Sequence, residues 1–175
     1  ASIRHSYMDK NFHTWMLGLA AQWLGVNQTQ ANSVAPILIS EEQGRHKSTF
    51  CRMLMPPQLA RYYSDNLKLT AQGNPERLLA EMGLLNMDEF DKFGAQKMPL
   101  LKNLMQMSSL NICKAYQKNF RSLPRIASFI GTSNRTDLLC DPTGSRRFIC
   151  IEAEHDIDCT GIEHSQIYAQ LKAEL

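Results

Sequence analysis

Pro36-Ile37-Leu38-Ile39-Ser40-Glu41-Glu42-Gln43-Gly44-Arg45-His46-Lys47-Ser48-Thr49-Phe50 is an apolar run that breaks into a polar loop and closes on Lys-Ser-Thr. It reads as a buried strand, a phosphate-binding loop and the start of a helix, which is how nucleoside triphosphates are held. The candidate phosphate-binding set is Gln43, Gly44, Arg45, His46, Lys47, Ser48 and Thr49. Backbone N–H groups from Gln43 to Lys47 would cradle phosphate, Lys47 would bring a flexible cation to it, and the Ser48 hydroxyl would ligate Mg²⁺. The usual pattern is G-x-x-x-x-G-K-[ST]; Glu41 and His46 stand here in place of both glycines.

Two apolar runs further along end in groups that suit the same chemistry. Gly83-Leu84-Leu85-Asn86-Met87 reads as a second buried strand and ends in Asp88-Glu89-Phe90-Asp91, about forty residues beyond Lys47. Beside a phosphate loop, an aspartate in that place holds Mg²⁺ and the following glutamate activates water. Ser128-Phe129-Ile130-Gly131-Thr132-Ser133-Asn134 ends a third strand on a neutral amide, able to orient water or touch phosphate without adding charge. Arg146 and Arg147 follow, and an arginine on a loop can stabilise a transferred phosphoryl group, often from a neighbouring subunit. Taken singly, each feature has a plainer alternative: a polar turn, a solvated acidic loop, a surface ion pair.

Around these motifs the chain alternates short apolar runs with helical patterns, which indicates a parallel sheet with helices on both faces. Helices are expected from about Asn11 to Gly25, from Lys47 to Met55, through Met82 from an Asn74 cap with Pro75 in the first turn, and from Pro99 to Met107. Tyr62-Tyr63 opens a short strand, Arg125 to Gly131 forms the third and Arg147 to Glu152 the fourth. Asn111 to Ser122 suggests a hairpin around Gln117-Lys118-Asn119.

At 175 residues the chain has length for one core and is too short for two ordinary domains. Its apolar fraction of 43% against 21% charged residues excludes wholesale disorder. Five cysteines without a C-x-x-C pair favour reduced thiols and a cytoplasmic setting. Cys150, His155, Cys159 and His164 match no familiar zinc spacing. The apolar stretch from Trp15 to Val26 is too short to cross a bilayer, so no membrane role is expected.

The net charge of +2 hides an asymmetry: from Lys92 to Thr136 there are eight cations and no acid, leaving eleven cations against seventeen acids elsewhere. A one-signed segment points to a polyanion partner or to a solvated face. Within it Lys114, Lys118, Arg121 and Arg125 interleave with Tyr116 and Phe120, as in surfaces that track a backbone and stack on unpaired bases. The same two aromatics could instead anchor the hairpin in the core.

Taken in order, these motifs resemble the virulence-associated protein E family, whose ATPase core is similar to that of the superfamily 3 helicases in the AAA+ class. The resemblance runs from the helix around Trp15, through Gln43-Gly44-x-x-Lys47-Ser48-Thr49-Phe50 and Met87-Asp88-Glu89-Phe90-Asp91, to Ile130-Gly131-Thr132-Ser133-Asn134 and Gly144-Ser145-Arg146-Arg147-Phe148. It implies an α/β fold, a three-layer P-loop NTPase with a central, mostly parallel five-stranded sheet in the order 5-1-4-3-2 and an inserted β-hairpin. Residues 1–35 would form an N-terminal helix and connecting loop packed on an ATPase core of residues 36–175, itself a piece of a longer protein.

By position, Lys47 and Ser48 fall in the Walker A motif, Asp88 and Glu89 in Walker B, Asn134 at the sensor and Arg146 or Arg147 at the arginine finger. Lys114, Tyr116, Lys118 and Arg121 fall in the DNA-contacting hairpin. The resemblance further implies ATP and Mg²⁺ as cofactors, single-stranded or forked DNA as partner, assembly as an oligomer or ring, and a primase-like partner domain in phages and mobile elements. A binding module without turnover and a nucleotide kinase are the rival readings.

Overall fold

In the computed structural model, residues 2–26, 31–113, 116–135 and 147–175 are described. Five strands form one sheet: β1 (Ala35–Ile39), β2 (Tyr63–Ser64), β3 (Leu84–Met87), β6 (Ser128–Ser133) and β7 (Phe148–Glu152). They lie in the order β2-β3-β6-β1-β7, with every pairing parallel. Numbered among themselves along the chain and read from the β7 edge, these five run 5-1-4-3-2. The remaining strands, β4 (Ser109–Cys113) and β5 (Phe120–Pro124), pair antiparallel as a separate hairpin.

Strands buried on both faces need apolar residues on both faces, and β1, β3 and β6 are buried at every position. Ile37 and Ile39 of β1, Leu85 and Met87 of β3 and Phe129 of β6 pack against one layer. That layer holds Leu79 of α3 (Pro75–Glu81), Leu101, Leu104 and Met105 of α4 (Met98–Gln106), and Leu110 of the hairpin. Leu38, Leu84 and Ile130 face the other way, onto Trp15, Met16 and Leu19 of α1 (Ser2–Leu24), Cys51 of α2 (Lys47–Met53) and Leu171 of α5 (His164–Glu174). The N-terminal helix is thus part of the core beneath one face.

At the centre of the sheet Gly131 permits a close approach that any side chain would spoil. A Cβ there would come within 2.7 Å of Ile37 Cδ1 and 3.2 Å of the Met87 carbonyl. Just beyond Gly131, β6 runs into Thr132, Ser133 and Asn134.

Several sequence expectations are corrected. The first helix begins at Ser2, not near Asn11, since nothing between them breaks a helix. Asn74 precedes α3 in a left-handed conformation (φ 43°) with no side-chain cap. The third strand starts at Ser128 rather than Arg125. The Arg125 N–H donates to the Ser108 carbonyl, and those of Ile126 and Ala127 donate to the Leu79 carbonyl, so these residues stay outside the ladder. Helix α5 has no counterpart in the expected elements. Among the described residues no helix is long and apolar enough to cross a membrane.

Candidate functional site

The loop after β1 turns back through two left-handed residues, Gly44 (φ 81°) and His46 (φ 62°, ψ 28°). Glycine adopts that conformation freely, whereas a β-carbon costs roughly 1–2 kcal/mol. His46 therefore keeps the geometry of the glycine it replaces at an energetic cost. The loop is braced from outside by the segment after β7. Arg45 donates from Nη1 to the Glu154 carbonyl (2.5 Å) and from Nη2 to Glu42 Oε2 (2.8 Å), and the Ile157 N–H donates to the Arg45 carbonyl (3.1 Å).

Helix α2 begins at Lys47, and its first helical bond runs from the Phe50 N–H to the His46 carbonyl. The Lys47 side chain, 8% exposed, extends back under the loop. Its Nζ donates to Ser40 Oγ (2.6 Å), the Ser40 carbonyl (3.3 Å) and Asn134 Oδ1 (2.7 Å), which matches the three protons of an ammonium. Burial, and secondarily the Arg45 charge, lower its pKa, while Asp88 and Asp91 oppose that shift.

Ser48 Oγ donates to Asp88 Oδ1 at 2.6 Å, so the hydroxyl and carboxylate expected to share a metal sit side by side. Thr132 Oγ1 donates to the same oxygen at 2.7 Å and accepts the Glu89 N–H at 3.2 Å. Glu89 is left-handed (φ 54°, ψ 53°) and its carboxylate meets Lys92. Asp91 Oδ1 accepts from Ser133 Oγ (2.9 Å), which in turn accepts the Arg135 N–H (3.1 Å). Ser48, Asp88, Glu89, Thr132 and Ser133 line a cavity of about 340 Å³ at the C-terminal ends of β1, β3 and β6. Ligands of open parallel sheets bind at that end.

Of the sequence candidates, Gln43 to Thr49, Asp88, Glu89 and Asn134 thus line one cavity. Arg147 does not. It precedes β7 at the opposite end of the sheet, roughly 17 Å away along a five-residue strand, where its carbonyl accepts the Ala35 N–H and its Nη1 donates to the Lys102 carbonyl. Arg146 and Lys114 lie outside the described residues.

The hairpin also divides. Tyr116, Lys118, Phe120 and Arg121 are exposed, so neither aromatic is a core anchor. Arg125, grouped with them by sequence, is 3% exposed and serves the core instead. It donates to the carbonyls of Ala127 (2.8 Å), Met105 (2.6 Å), Met107 (3.3 Å) and Asn32 (2.9 Å) and lies over the Phe129 ring. Burial brings its pKa down to about 10. The sequence did not assign roles to Ser40, Thr132, Ser133 or Asp91. Their signal was polarity at the end of otherwise apolar strands.

The oxygen donors of Ser48 and Asp88 suit a small hard cation, and the Lys47 ammonium beside the loop amides suits a phosphate chain. The virulence-associated protein E-like domain matches residues 2–175, and the chain belongs to that family. Among solved structures, the apo C-terminal region of NrS-1 is similar, with a TM-score of 0.54 and 21% identity over 90% of this chain and 39% of that one. An A-form apo structure of the same region has a TM-score of 0.52 and 21% identity, over 94% of this chain and 41% of that one. The chain therefore spans about two fifths of the length of those solved regions. Likeness at this identity speaks for a shared fold. No curated protein matches the sequence.

Proposed function

We propose that this domain is a Mg²⁺-dependent P-loop ATPase that acts on DNA in a helicase-like manner, working as an oligomer in the replication of a phage or mobile element beside a primase-like partner. The observation that carries the proposal is the convergence of Lys47, Ser48, Asp88 and Asn134, from three separate segments, in one strand-end cavity. Bound Mg²⁺ and ATP would supply the phosphoryl group and the neutralisation of its charge. Lys47 and the loop amides bind the phosphates, and Ser48 Oγ with the Asp88 carboxylate holds the metal. The Glu89 carboxylate, once parted from Lys92, takes the proton of the attacking water, and Asn134 orients it. An arginine, Arg146 or Arg147, completes the charge balance from a neighbouring subunit. The exposed Tyr116, Phe120, Lys118 and Arg121 form the nucleic-acid surface.

Single-turnover ATP hydrolysis by the assembled protein, with and without DNA, tests this. Glu89→Gln is expected to lower the rate by about 10²–10⁴-fold while nucleotide still binds. Equal rates in the variant and the wild type would remove Glu89 from catalysis. A second reading, a nucleotide- and DNA-binding module with little turnover, is favoured by the contact that holds Glu89 to Lys92. Titration calorimetry separates the two: tight nucleotide binding without hydrolysis, indifferent to DNA, supports the module.

A further inference from the structure

Asp88 and Glu89 are adjacent in sequence yet face different partners, Ser48 and Lys92. Extended backbone would send consecutive side chains to opposite faces of the sheet, and β3 ends at Met87. The left-handed Glu89 redirects the chain here, a conformation that a β-carbon disfavours and that persists only where its surroundings hold it. One side chain touches both residues of the pair. Thr132 is 3% exposed and arrives from the neighbouring strand β6. Its hydroxyl has a single proton and its orientation is dictated from both sides. The Glu89 N–H can only donate to it (3.2 Å), so the hydroxyl proton goes to Asp88 Oδ1 (2.7 Å). Because Ser48 donates to that same oxygen, two hydroxyls from two elements fix the carboxylate plane.

We propose that Thr132 is a positioning residue that orients Asp88 toward the metal and holds the Glu89 backbone in its left-handed turn. The inference rests on the ATPase reading above and deepens it. Its hydrogen bonds run to Asp88 and the Glu89 backbone, so it acts through them. A partner that orients a metal-ligating carboxylate typically contributes 10–100-fold in metal affinity.

Thr132→Val keeps the shape and removes both hydrogen bonds, and Thr132→Ser keeps the hydroxyl. Each full-length protein is loaded with a non-hydrolysable ATP analogue and titrated with Mn²⁺, free Mn²⁺ being read by electron paramagnetic resonance. Analogue affinity in EDTA is measured beside it as the control for an intact fold. The expected result is an Mn²⁺ affinity at least about tenfold weaker in Thr132→Val. Thr132→Ser is expected to stay near the wild type, with metal-free nucleotide affinity the same in all three. Unchanged Mn²⁺ affinity in Thr132→Val would overturn the assignment, as would equal losses in the two variants or a parallel loss of metal-free binding. Failure of the wild type to bind the analogue at all would instead overturn the ATPase reading and this inference together, so the two failures are distinguishable.

Discussion

His46 sits in the left-handed region where the loop pattern calls for glycine. Replacing it tests whether the departure weakens the fold, the ligand site or both. His46→Gly relieves the strain of a β-carbon but loosens the unfolded chain, so a net gain of up to about 1 kcal/mol is expected. Urea denaturation measures that gain, and calorimetry should show tighter ATP binding if strain opposes loop closure. A destabilised variant would mean that the imidazole makes a contribution larger than the strain.

Lys47 predicts a pH effect of two opposite signs. Its folded pKa lies below the ordinary 10.5, chiefly through burial, so in the window just below 10.5 the unfolded chain holds more protons than the folded one. Stability contributed by this group therefore rises with pH there. Phosphate needs the ammonium, so nucleotide affinity should fall across the same window. Calorimetry across that range, compared with Lys47→Arg, which stays charged, isolates the effect. An identical pH profile in the two proteins would remove Lys47 from phosphate binding.

At the scale of elements, what was legible in the sequence was whatever burial writes into consecutive residues. Strands β1, β3 and β6 are covered on both faces and read as short, largely apolar runs that end in polar groups, so the candidate cavity was legible with them. Helix α5 was not, because most of its residues are polar and only Leu171 is fully buried. Arg125 was misread because three of its acceptors, Asn32, Met105 and Met107, come from other segments, and nothing local separates a caged arginine from a surface one. Thr132 went unassigned for the same reason, since its partners lie more than forty residues earlier.

The hairpin β4–β5 gives the element its own test. Tyr116 and Phe120 are exposed, so Tyr116→Ala and Phe120→Ala should each leave stability within about 0.5 kcal/mol. If they stack on bases, each should weaken single-stranded DNA binding by about 1–3 kcal/mol. Anisotropy of a labelled oligonucleotide reads the second quantity. Unaltered affinity in both variants would take the hairpin out of DNA contact.

For the whole molecule, the position of Arg147 is the decisive fact. It lies at the end of the sheet opposite the cavity, so it serves its own subunit's cavity only after a large rearrangement. A neighbouring copy could present it without one. Mixing Glu89→Gln subunits with Arg147→Ala subunits tests this directly. Each population alone should be inactive, and the mixture should regain hydrolysis where a subunit with an intact Glu89 meets a partner with an intact Arg147. A mixture as inactive as its parents would remove Arg147 from any role across subunits.

The cation of Lys47 is already fully coordinated, by Ser40 Oγ, the Ser40 carbonyl and Asn134 Oδ1. An arriving phosphate oxygen cannot simply be added to that shell; it has to displace one of the three. Under the proposed function, binding is then an exchange reaction at nitrogen, with little net change in the number of hydrogen bonds but with a neutral acceptor giving way to an anionic one. The partner most open to displacement is the Asn134 amide, which is neutral and only part-buried. Its release would register ligand arrival at the end of β6, the strand that continues from the hairpin, so that a single hydrogen bond ties the phosphate loop to the nucleic-acid face.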